Sequence, residues 1–101
     1  MPTLTPPQDC HSMPELRVQI DKLDRHLIEM LVMRAGFIDR ASQLKPGVGL
    51  PARIPERVEE VVQNVRASSG ELGMDPELAE RLWRILIDWS IAREECVLGQ
   101  E

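Results

Sequence analysis

Residues 16–45 read LRVQIDKLDRHLIEMLVMRAGFIDRASQLK. Apolar side chains recur at Leu16, Ile20, Leu23, Leu27, Met30, Leu31, Ile38, Ala41 and Leu44, the period of a helix with an apolar face. Just upstream, Ser12-Met13-Pro14-Glu15 has the form of a capping box with proline in the first turn, so the helix starts there. Downstream, Pro46-Gly47 predicts its stop. The span is about 30 residues, roughly 45 Å of helix.

Outward from this stretch, residues 46–54 (PGVGLPARI) predict a loop, and Pro55 opens a second helix at its first position. Val58, Val61, Val62 and Val65 form its inner face, and it ends around Ser68 to Gly70. Asp75-Pro76 is an N-cap followed by a first-turn proline, opening a third helix that runs to about Leu98. No segment alternates as a strand does, and there are no internal repeats. The expected fold is all-α, with one long helix and two shorter ones per chain. Residues 1–11 form a flexible tail and residues 12–101 one helical domain.

Neither shorter helix can cover an apolar stripe of roughly 45 Å. A second copy of the chain would, so an intertwined homodimer is expected, with the long helices packed on each other. The third helix fits this. Residues 82–92 (LWRILIDWSIA) are apolar over most of the circumference, and Arg81, Arg84, Asp88 and Glu95 form a narrow polar strip. Such a helix is buried on several sides.

The net charge of −5 argues against a general binder of nucleic acid or of acidic membranes, so any anion site must be a local pocket of cations. No stretch has the length of a membrane-spanning helix. Residues 1–8 lack the basic start and apolar centre of a signal peptide. Cys10 and Cys96 lie far apart, with neither disulfide-framework nor metal-ligand spacing, which fits free thiols in a reducing cytoplasm. No metal site is expected.

Two cations interrupt the long apolar stripe. Arg34, Ile38, Ala41 and Lys45 fall on one line that continues Leu23, Leu27 and Leu31. Arg34 and Lys45 are about 16 Å apart along the axis, with the small Ala41 between them. Either both snorkel to water, or they bend together over that gap and hold one compact dianion. Arg57 is a third candidate, in the first turn of the second helix, where the helix N-terminus adds partial positive charge. On the third helix, Ser90 and Glu94 lie one turn apart, away from the polar strip. Glu94 is either exposed at a fraying end or a carboxyl in apolar company, where burial favours the uncharged acid. His26, Asp21 and Asp24 read as solvated surface, and Trp83 and Trp89 as core or interface.

Taken together, Leu16-Arg17, Ile20-Asp21, Leu23-Asp24, Arg34, Lys45 and Pro55-Glu56-Arg57 resemble the all-α chorismate mutase family, including its isochorismate-pyruvate lyase branch. The helix lengths and their order agree over roughly Asp9 to Leu98. The resemblance implies a three-helix chain in a dimer with two active sites and no cofactor. It implies that Arg17 reaches the partner's site, that Arg34 and Arg57 bind substrate carboxylates, and that Lys45 contacts the ether oxygen. It places Ala41, Ile54, Val58, Ile87 and Ile91 at the walls, and Ser90 at a substrate contact. Glu94 falls where bacterial members usually carry Gln. Family mutases often carry acids at the positions of Ile54 and Val58. Their absence, and the Asp9-Cys10 lead-in, resemble the lyase branch.

The implied reaction is the pericyclic rearrangement of chorismate to prephenate, feeding aromatic amino-acid synthesis. The partner is thus a small dicarboxylate. The alternatives are an isochorismate-pyruvate lyase giving salicylate and pyruvate, or a non-catalytic helical dimerisation module.

Overall fold

Ser12 caps the first helix as its sequence requires. Its Oγ accepts from the Glu15 amide at 3.2 Å, and its carbonyl accepts from the Leu16 amide at 3.0 Å. The Glu15 carboxylate reaches back to the amide of His11, at 2.8 Å, one residue beyond the usual partner. Helix α1 then runs Met13–Val48. The computed structural model describes residues 2–99. Met1 of the expected tail, and Gln100 and Glu101 of the expected domain, lie outside the described residues.

The expected stop at Pro46 is not where α1 ends. Pro46 and Gly47 stay inside the helix, which closes at Gly49. There φ is 71°, a left-handed conformation that glycine adopts at low cost. The Gly49 amide donates to the Pro46 carbonyl at 3.3 Å, and the Leu50 amide to the Lys45 carbonyl at 3.0 Å, so the last carbonyls are satisfied. Helix α2, Pro55–Leu72, likewise passes the expected end at Gly70 and closes on Gly73, with φ of 87°. Helix α3, Pro76–Leu98, has the expected bounds. Asp75 Oδ1 accepts from the Glu77 amide at 3.0 Å, the predicted N-cap. A short 3₁₀ turn, Pro7–Asp9, precedes α1, and the Thr5 amide donates to Gln19 Oε1 at 2.9 Å. The described fold is all-helical, with no strand among the described residues and no helix long and apolar enough to cross a membrane.

The chain divides into two units, one ending at Phe37 and one beginning at Ile38. In the first, α1 leaves Ile20, Leu27, Met30, Leu31 and Phe37 exposed, Phe37 at 74%. The second holds the end of α1, α2 and α3 around a core of Ala52, Val62, Ile87 and Ile91. Val58, Val61, Trp83 and Leu98 pack against that core. Val62 is fully buried, and Val58, Val61 and Val65 are half-buried, so the expected inner face of α2 does turn inward.

Helix α3 buries one face, carrying Ala79, Ile87, Ser90, Ile91 and Glu94. Within one chain it is not buried on several sides. Leu82, Ile85 and Trp89 are exposed, because α2 covers one side only. A charged network ties α2 to α3 at the surface. Arg66 pairs with Glu80 at 2.8 Å and Glu77 at 3.1 Å, and Arg84 pairs with Glu80 at 2.7 Å and Glu59 at 3.2 Å. Hydrogen bonds from Arg84 hold the Glu80 carboxyl below its ordinary value, and Arg66 adds to this.

Candidate active site

Ile87, Ser90, Ile91 and Glu94 recur at helical spacing on the buried face of α3. Glu94 is thus a carboxyl group among apolar side chains, 5% exposed. From the last turn of α1, Lys45 reaches the same place. Its Nζ lies 2.9 Å from Glu94 Oε1 and donates to the Ala52 carbonyl at 2.8 Å. The contact with Glu94 is at ion-pair distance without hydrogen-bond alignment, so Oε1 has no aligned donor among the described residues. The Lys45 side chain is 16% exposed. A buried carboxyl group beside a half-buried cation is costly unless each compensates the other, and loss of Lys45 strands Glu94.

The walls are apolar. Ala52, Ile87 and Ile91 are buried and Val58 packs against them. Ile54 and Ala41 are half-buried, on the loop and on α1. Ser90 is buried and its hydroxyl donates to the Leu86 carbonyl at 2.7 Å, a bond back to the preceding turn. Arg57 stands in the first turn of α2, exposed and paired with Glu60 one turn on. Arg17 and Arg34 lie on the part of α1 in the first unit, Arg17 exposed and Arg34 half-buried. The structure therefore brings together Lys45, Glu94 and the core residues Ala52, Ile87 and Ile91, while Arg57 faces outward.

Two cavities flank these residues. One of about 200 Å³ is lined by Arg53, Pro55, Val58, Glu59, Arg84, Ile87 and Asp88. Another, about 460 Å³, is lined by Pro46, Gly49, Leu50, Pro51, Ala52, Leu98 and Gly99. A larger groove along α1, beside Asp21, Asp24, Arg25, Ile28, Glu29 and Val32, carries none of the expected site residues.

Three features escaped the sequence reading. The Ala52 carbonyl holds Lys45. Arg53 on the loop pairs with Asp88 on α3 at 3.2 Å. Asp39 pairs with Arg93, which also lies over the Trp89 ring with its guanidinium carbon 5.3 Å from the centroid. Arg93 holds the Asp39 carboxyl below its ordinary value through their hydrogen bonds. These partners are far apart in sequence, and no local pattern marks them.

The profile of the family described as chorismate mutase type II matches residues 16–95. The chain is 30% identical over 89 residues to an isochorismate pyruvate lyase of Pseudomonas aeruginosa, covering 87% of this chain and 86% of that protein. It is 23% identical over 86 residues to a chorismate mutase of Methanocaldococcus jannaschii, covering 85% and 87%. It is 32% identical over 79 residues to a T-protein of Enterobacter agglomerans, covering 78% of this chain but 21% of that protein.

Proposed function

The chain belongs to the chorismate mutase type II family, and from that premise we propose that it is an isomerase converting chorismate to prephenate. The observation that carries the reading is half-buried Lys45 against buried Glu94 beside the apolar core. The rearrangement needs no nucleophile, metal or covalent intermediate. It needs the substrate held in its folded conformer, with stabilisation of the charge that grows on the ether oxygen as the bond breaks. Lys45 supplies a fixed cation for that oxygen. Glu94, once protonated, supplies a second donor, whereas ionised Glu94 would repel it.

In this reading Arg34 and Arg57 bind the substrate carboxylates, Arg57 after leaving Glu60. Arg17 acts from the partner chain. Ala41, Ile54, Val58, Ile87 and Ile91 shape the apolar walls, and Ser90 touches the substrate. The active form is an intertwined homodimer. That arrangement is supported by the apolar residues which α1 and α3 leave exposed in one chain, among them Leu27, Leu31, Phe37, Ile85 and Trp89. The enzyme acts in the cytoplasm, in aromatic amino-acid synthesis.

A second reading, lyase action on isochorismate, is favoured by one observation. The positions where mutases carry acids are here half-buried Ile54 and Val58, in a chain 30% identical to an isochorismate pyruvate lyase. One assay separates the two. The purified protein is given chorismate and isochorismate in turn. Prephenate supports the mutase, salicylate with pyruvate supports the lyase, and turnover of neither refutes both and leaves a non-catalytic dimerisation module.

A further inference from the structure

Two described ion pairs join the end of α1 to α3. One is Lys45 with Glu94. The other is Asp39 with Arg93, which takes no part in the chemistry above. Arg93 Nε donates to Asp39 Oδ1 at 2.5 Å and Nη2 donates to Oδ2 at 2.9 Å, so both carboxylate oxygens are held by one planar fork. A fork of this kind fixes orientation as well as distance. The face of Trp89 restrains the guanidinium from the same helix, one turn before it. On the α1 side, the Ser42 hydroxyl donates to the Asp39 carbonyl at 2.7 Å, and Ser42 itself is buried.

The two pairs are linked by short, stiff spans. Arg93 is the chain neighbour of Glu94 on α3. Asp39 precedes Lys45 by six residues on α1, about 9 Å along the axis. One ion pair between two helices acts as a pivot. A second at a different height removes the freedom to slide or turn about it. Pairs as exposed as this one, 45% on each side, add little to folding stability, so its two-oxygen geometry is best explained by orientation.

We propose that Asp39 and Arg93 are a positioning pair, which sets the register of α3 against the end of α1 and so holds Lys45 Nζ at Glu94. The role in catalysis rests on the reading of Lys45 and Glu94 as the active pair. The effect on Lys45 itself does not.

The chain has two lysines, Lys22 and Lys45, and Lys22 is exposed. Limited acylation of the full chain with an amine-reactive ester, mapped by mass spectrometry, therefore reads the accessibility of Lys45 against an internal reference. The variants are Asp39→Asn, Arg93→Lys and the double reversal of Asp39→Arg with Arg93→Asp. Asp39→Asn should raise the Lys45 to Lys22 ratio and lower kcat on chorismate, each by about fivefold, the upper end of what an exposed pair delivers. KM should stay near wild type, the melting temperature should fall by only a few degrees, and the double reversal should restore both readings. Arg93→Lys, which keeps the charge and loses the fork, should fall between, and it serves if Asp39→Asn folds poorly. An acylation ratio unchanged in folded Asp39→Asn or Arg93→Lys protein overturns the proposal. A raised ratio in a protein whose wild type turns over neither chorismate nor isochorismate supports the positioning of Lys45 and overturns the enzymatic reading instead.

Discussion

Lys45 Nζ rests 2.9 Å from Glu94 Oε1 and donates to the carbonyl of Ala52. The cation proposed to act on substrate is thus engaged on two sides by its own chain. A substrate recruits it in full only by taking the place of these partners. Four expectations follow from this site and from the surface that supports it.

If Glu94 donates to the ether oxygen, a side chain that is always a donor should serve in its place. Glu94→Gln keeps the shape and supplies an N–H donor, so kcat should stay at or above wild type, whereas Glu94→Ala should lower it about 100-fold. The test is kcat of both variants on folded protein. Near-normal turnover in folded Glu94→Ala protein would remove Glu94 from the mechanism.

Lys45→Ala removes the fixed cation and should lower kcat about 100-fold or more, as the loss of an oxyanion-stabilising donor does elsewhere. It also strands Glu94 among apolar side chains, so the measurement belongs on protein shown to be folded by circular dichroism. Near-normal turnover in folded protein would refute the role.

Arg17 is proposed to act across the dimer and Arg34 within its own chain. Mixing inactive Arg17→Ala with inactive Arg34→Ala should then recover part of the activity, because a mixed dimer assembles one intact site. Subunit exchange is checked by mass spectrometry. Exchange without recovery would count against Arg17 acting in trans.

The folded state holds the Glu80 carboxyl below its ordinary value, chiefly through Arg84. A depressed folded value means that the group stabilises the fold above its unfolded pKa, and that this is lost as pH falls through the folded value. Wild type should therefore melt above Glu80→Gln at neutral pH, by a small margin because the network is partly exposed. The two curves should converge in acid below the carboxylate range. Thermal melts across pH measure this, and a margin that persists in acid would contradict it.

Much of this architecture was legible because it rests on local rules. Ser12 and Asp75 announce helix starts through side-chain caps, and Pro55 and Pro76 through a ring that suits the first helical position. The ends of α1 and α2 were not legible in the same way. Each lies near two glycines, Gly47 and Gly49 or Gly70 and Gly73, and it is the second of each two that turns left-handed. Lys45 and Glu94 stood out as charges on apolar faces, but their meeting joins residues 49 apart and depends on how α1 approaches α3. The pairs of Asp39 with Arg93 and Arg53 with Asp88 left no trace, because any charged residue on a helix surface looks solvated until its neighbour is known.

The engagement of Lys45 with Glu94 also bears on how the pocket would take a substrate. Glu94 serves as a resident counter-ion, standing in for the acid that the pocket is proposed to receive. Lys45 therefore already faces a carboxyl group of its own chain. In the proposed function, occupancy then becomes the exchange of one partner of Lys45 for another.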